Sequence, residues 1–434
     1  MNNKPSLNSK LMVVLSKFQS ISSFFYLLFY CVMLSLPASV YGQSYELLLD
    51  DGHVIDPKNR INKPMDVAIA DGKIARVAND IAVEQATKVV DVSGLYVTPG
   101  LIDMHSHNYY GTDSEAAYSN GMNALPPDGF TFRAGVTTVV DPGGAGWRNF
   151  KHFKKQVIDH SKTRVLALLN IVGSGMKGGA VEQNMQDMNP KTTALVAQTN
   201  KEIVGVKLAH YNGHNFTPTE LAVKAGQIAK VPVMIDFGSA DPPLSLETLF
   251  MEKLRPGDIF THTYANLDSR QSILDEDYNL RPFVLEAQRR GIVFGVGHGG
   301  GSFNFKTAIP AIKQGLKPDV ISTDLHTNSM NSGMKNMLNV MSKFLNMGMS
   351  LQDVIDASTW QPAQVIQREE LGNLDKGAVA DVTVLKLREG VFGFVDADPG
   401  AKMTGNRKLQ AELTLRAGEV VWDLNGITAP MWKD

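Results

Sequence analysis

His105 and His107 stand two residues apart in LYVTPGLIDMHSH, residues 95–107, just beyond an apolar run and a Pro-Gly pair. On an extended segment, side chains two apart share a face. Both imidazoles would therefore aim at one point, which suits a divalent cation. Taken alone, the pair reads equally as a polar strand end with two solvated histidines, so further ligands must decide. Later apolar runs end in Asp141, Lys207, Asp236, His262, His298 and Asp324. Several have a plain structural reading: Lys207 as a solvated strand terminus, His262 as a core histidine, Asp324 as a helix cap. Asp141, followed by Pro142-Gly143-Gly144, reads as a turn residue rather than a ligand. A lysine ending an apolar strand is costly unless neutral or paired, which sets Lys207 apart.

What positions these groups is a series of short strands. Apolar runs at 97–104, 136–141, 165–171, 203–208, 231–236, 259–262, 292–296 and 320–323 alternate with amphipathic stretches such as 219–229, 282–290 and 305–314. Eight strand–helix pairs over roughly 270 residues match a (β/α)8 TIM barrel, whose active site lies at the C-terminal strand ends. A doubly wound open sheet is the alternative, but no glycine fingerprint follows the first strand. The barrel is placed at 98–370. The flanking segments, 43–97 and 371–434, are β-rich and turn-punctuated, with Asp51-Gly52 and Asp71-Gly72 as hairpin signals. Neither is long enough to bury a core alone, so they predict one small β-sandwich domain built from both chain ends.

Residues 1–42 read differently. Lys4, Lys10 and Lys17 precede an uncharged run at 21–38, followed by small residues before Gln43. This is the layout of a cleaved signal peptide and predicts an exported protein, periplasmic or secreted. An uncleaved anchor is the alternative, and it would be the chain's sole link to a membrane. The single cysteine, Cys31, lies in that run, so a chain without it has no disulfide, no thiolate ligand and no cysteine nucleophile. A net charge of −2 without a basic block excludes nucleic acid as an expected partner.

DGHVIDP, VTPGLIDMHSH, IVGVKL, PGDIFTHTY, GHGGGSF, STDLH and LDKGAVADVTVL together carry a resemblance. The chain resembles the amidohydrolase superfamily of metal-dependent hydrolases, and within it the deacetylase branch related to dihydroorotases. The resemblance implies that His105 and His107 bind one metal and that Lys207 is a carboxylated lysine bridging two. It implies that His262 binds the second metal and that Asp324 is both ligand and general base. The implied cofactors are one or two Zn2+ ions, with Mn2+ as the alternative, and a carbamate on Lys207. One position departs from the family. The branch usually ends its fifth strand in histidine, whereas VPVMIDF here supplies Asp236. Asp236 as a ligand would favour harder ions such as manganese; turned away, it would leave one metal.

GHGGGSF, residues 297–303, follows the seventh strand, where barrel loops often bind anions. His298, Gly299 and Gly300 are therefore expected to contact the substrate, with His298 donating to a carboxylate or developing oxyanion. The expected function is removal of an acyl group, such as acetyl, from an ester or amide of a small anionic molecule by metal-activated water. The alternatives are a D-aminoacylase, a cyclic-amide hydrolase of dihydroorotase type, and a non-catalytic binding protein with a degraded metal site. The expected partner is a small-molecule substrate, and a homo-oligomer is compatible with the sequence.

Overall fold

The parallel strands that carry the site form one sheet in chain order: Leu101–Asp103, Val136–Asp141, Arg164–Asn170, Ile203–Tyr211, Val233–Phe237, Ile259–Phe260 and Val293–Phe294. The computed structural model describes residues 44–237, 240–397 and 401–432, so the expected leader and Cys31 lie outside the described residues. No helix among them is long and apolar enough to cross a membrane. The eighth apolar run is not a strand. Val320 in it makes a single parallel bridge to Gly295, and Leu325 just after it one to Ser106, so this stretch reaches the chain just beyond both edge strands of the seven-stranded sheet. The result is a TIM-barrel-like domain. Its interior is filled by Ile102, Val140, Leu168, Val204, Met234, Ile259 and Val320, one side chain from each of seven of the eight segments, with Val293 of the remaining one packed against them.

Helices alternate with these strands where the apolar period changes from two to about 3.6. Thr217–Ala229 begins with Pro218 in its first turn and ends at Lys230 in the left-handed conformation. Pro282–Arg290 closes at Gly291, and Phe305–Lys313 starts from the Asn304 side chain, which accepts from the Lys306 amide. These agree with the sequence expectation to within two residues.

Both chain ends meet in a second sheet, eight-stranded and mixed. Tyr96–Pro99 joins the two ends, lying parallel to Tyr45–Asp56 and antiparallel to Val382–Val395. Its core is Leu47, Leu49, Val54, Val67, Val97, Val384, Leu413 and Leu415. Two sequence expectations change here. The run at 97–104 is not one barrel strand: its first half belongs to the mixed sheet and Leu101–Asp103 to the barrel. Pro99 lacks an amide to continue the first ladder. Asp51-Gly52 is not a hairpin turn either. Tyr45–Asp56 runs through it, with a register shift between Leu49 and Gly52 and Asp51 at φ 63°. Asp71-Gly72 does turn the chain, between Ile61–Ala70 and Lys73–Ala78.

Candidate active site

Beyond Asp103 the chain bends at Met104 and bridges to Leu325 at Ser106, and His105 and His107 converge as expected. His107 Nε2 lies 2.9 Å and His105 Nε2 3.4 Å from the same oxygen, Oδ1 of Asp324. The three are buried, and one ligand atom from each lies within 4.8 Å of the others. Asp103 makes this possible. Its Oδ1 accepts the amides of His105 (3.2 Å) and Thr323 (3.0 Å), tying the first strand end to the segment that carries Asp324. Burial raises the Asp103 carboxyl to about 6.

Lys207 reaches the site through an irregularity. A register shift between Ile203 and Gly205 leaves Val204 inside the barrel and Val206 outside, so Lys207 points inward again. It is fully buried, its Nζ has no hydrogen-bond partner, and Asp236 Oδ2 is 3.8 Å away. Burial lowers the amine's pKa against the pull of the Asp236 charge. Gly143, at φ 96°, lies so close that a Cβ there would come within 2.8 Å of the Lys207 stem.

Asp236 divides its two oxygens. Oδ2 faces His262 Nε2 at 3.2 Å and His210 Nε2 at 3.8 Å, whereas Oδ1 faces Arg270 at 4.0 Å. Despite burial, the His262 and Lys207 charges hold this carboxyl well below the usual range. His262 Nδ1 lies 2.6 Å from the Gly297 carbonyl, an acceptor, so that nitrogen carries the hydrogen. In a neutral ring this turns the Nε2 lone pair toward a carboxylate, an arrangement that a cation between them would satisfy. Asp324 likewise stays ionised: burial opposes ionisation, but His105, His107 and His262 outweigh it. The donor set and the partnerless Lys207 amine thus fit a metal. His210, His262 and Asp324 all sit in the left-handed region, at φ 53°, 57° and 54°. Non-glycine residues in that region gather at functional sites.

Over these groups opens a pocket of about 460 Å³. Gly300, Gly301 and Ser302 form part of its wall, as does Asp324. His298 does not, and its expected contact with substrate is corrected here. The ring is fully buried, stacked on Phe303 at 4.4 Å, with Nδ1 2.9 Å from the Gly299 carbonyl and Nε2 2.6 Å from Lys343 Nζ. Both nitrogens are occupied in the core. Gly299 also stands behind the wall: its amide donates to the Thr323 carbonyl. At φ 57°, a Cβ there would collide with Asp324 Oδ2. Asp141 is the last residue of its strand, and its oxygens accept the amides of Asn108, Tyr109 and Gly144.

Sequence reasoning missed Tyr118, His210, Arg270 and His326 in the pocket wall. Tyr118 stacks on His107 at 3.9 Å. His210 Nδ1 pairs with the buried Glu182 at 2.8 Å. Desolvation opposes it, but that bond and the Asp236 charge raise His210 to about 9. His210 and His326 lie within three residues of Lys207 and Asp324, a proximity that could have flagged them. Tyr118 and Arg270 lie in irregular segments that carry no such signal.

The model of the amidohydrolase family matches residues 302–421. A deacetylase of Agrobacterium fabrum is 35% identical over 337 residues, 76% of this chain and 78% of that protein. The chain belongs to the amidohydrolase family. Within it, this hydrolase stands in the metal-dependent branch of deacetylases related to dihydroorotases. Solved structures agree. One of an adenine deaminase is 28% identical with a TM-score of 0.78, covering 87% of this amidohydrolase and 100% of that chain. One of a dihydroorotase is 30% identical with a TM-score of 0.74, covering 87% and 99%.

Proposed function

We propose that this amidohydrolase removes an acyl group, such as acetyl, from an ester or amide of a small anionic molecule. The observation that carries the reading is the convergence of His105 and His107 on Asp324, beside a partnerless Lys207 amine under an open pocket. His105, His107 and Asp324 would hold one Zn2+ ion. Asp236 and His262, with a carbamate on Lys207, would hold a second, for which Asp236 makes Mn2+ the alternative. A lysine joins CO2 only as the neutral amine, the form that burial favours at Lys207. When bound, the metal supplies Lewis acidity toward the acyl oxygen and makes water a nucleophile near neutral pH. Asp324, ionised and lining the pocket, accepts the proton of the attacking water and returns it to the leaving oxygen or nitrogen. Asp103 holds Asp324 in reach of both histidines through Thr323.

Metal-loaded protein should release acetate from O-acetyl hydroxy acids or N-acetyl amino acids with kcat/KM above about 10^4 M−1 s−1, the lower end of ordinary enzymes. Turnover of cyclic amides alone would favour the dihydroorotase-type alternative, for which the 30% identical dihydroorotase speaks. No turnover together with no bound metal would favour a degraded site. We also read residues 98–370 as a closed (β/α)8 barrel, since Val320 bridges to Gly295 and Leu325 to Ser106, just beyond the two edge strands of the sheet. The uncharged run behind three lysines supports export with cleavage near Gln43. N-terminal sequencing of native protein that returns Met1 would refute the export reading.

A further inference from the structure

Among the pocket-lining residues, Arg270 has a use that neither the metal ligands nor the general base accounts for. It comes from the segment after the sixth strand, and its side chain is only 5% exposed. One edge of the guanidinium is fixed. Nη2 donates to the Thr261 carbonyl at 2.6 Å, and the group lies over the Phe260 ring at 4.4 Å. The other edge is turned to the pocket, where Nη1 stops 4.0 Å from Asp236 Oδ1, beyond hydrogen-bond distance. A guanidinium carries five donors in a rigid fork, shaped for two parallel bonds to a carboxylate. Here one donor is used by protein and the fork is already aimed. Asp236 is a weak claimant, because its other oxygen faces His262 and Lys207. Ser302, Asn328 and Ser332 bring further hydrogen-bonding groups to the same pocket wall.

We propose that Arg270 is the receptor for a carboxylate on the substrate and selects acyl derivatives of hydroxy or amino acids over neutral analogues. This rests on the acyl-hydrolase reading above. The carboxylate docks on the open edge of the fork, which leaves the acyl group to extend toward Asp324 and the histidines. The selection therefore comes from Arg270 rather than from His298, whose ring is committed to the core.

The test uses the full-length, metal-loaded protein and one matched pair, O-acetyllactate and O-acetyllactamide. Wild type should prefer the acid. In Arg270→Met the ratio of kcat/KM for acid over amide should fall about a hundredfold, the order expected when a charge-paired fork is lost. Arg270→Lys, a point charge without the fork, should restore only part of the ratio. If acid and amide fall together and the ratio holds, Arg270 acts through Asp236 and the proposal is overturned. If wild type hydrolyses neither compound, calorimetric binding of lactate against lactamide decides. A preference for lactate lost in Arg270→Met upholds the receptor and sinks the acyl-hydrolase reading. No preference in wild type overturns the receptor. Melting temperature and metal content of each variant separate these outcomes from misfolding.

Discussion

Replacing Lys207 by methionine separates what the lysine costs from what it is for. Its Nζ is fully buried without a hydrogen-bond partner, and burial drives its pKa down. Each pKa unit by which burial lowers this lysine below its ordinary ~10.4 costs folding stability, at most about 1.36 kcal/mol per unit. Methionine keeps the stem that packs against Gly143 and removes this cost, together with the 3.8 Å attraction to Asp236. Metal-free Lys207→Met should therefore be at least as stable as metal-free wild type. In a chain this long, an unfolding entropy of ~2.1 cal/mol/K per residue turns 1 kcal/mol into about 1 °C. The sign with pH follows. Between the lowered folded pKa and ~10.4 the unfolded lysine holds a proton that the folded one has released, so wild type gains stability as pH rises through that window and the gap narrows. Zinc with bicarbonate should act in the opposite sense. At a hundred times Kd it should stabilise wild type by about 2.7 kcal/mol and leave the variant where it was. Calorimetric melting with and without chelator, alongside metal content, reads both effects. The reasoning fails if metal-free Lys207→Met melts several degrees below metal-free wild type. It fails equally if zinc stabilises both proteins alike.

Asp324→Asn should keep at least one metal and lower turnover about a hundredfold or more, the usual scale for a general acid–base group. Turnover within a few-fold of wild type would remove that role. Asp236→Ala should bind one metal fewer per chain, and Asp236→His should keep two with activity shifted from manganese toward zinc; an unchanged metal count in Asp236→Ala shows that it is no ligand. Burial lowers Lys343 to about 7, so between pH 7 and 10 the unfolded chain holds a proton that the folded chain does not, and stability rises with pH. Lys343→Met should flatten that rise in denaturant titrations, and an equal slope in both proteins would refute the assignment.

The sequence by itself determined the ligand-type residues and the alternation that positions them. His105 and His107 share a face because side chains on an extended segment repeat every two residues, a local rule that needs no partner. Lys207 was legible as an anomaly, since a lysine closing an apolar strand is costly wherever that strand lies. The helices Thr217–Ala229 and Pro282–Arg290 were legible for the same reason: their period and caps are local. Only the tertiary structure decided which charges meet. The direction of His298 was set by Phe303 and Lys343, the latter 45 residues away in sequence, and they turned a presumed substrate contact into a core residue. Arg270 entered the pocket because Thr261 and Phe260 anchor it, although it lies in an irregular segment with no periodicity to read. The break at Pro99-Gly100 was equally invisible, because both halves are apolar and extended, and only their partners assign them to different sheets. Local geometry is written in spacing, but burial and pairing depend on residues that the fold brings from elsewhere in the chain.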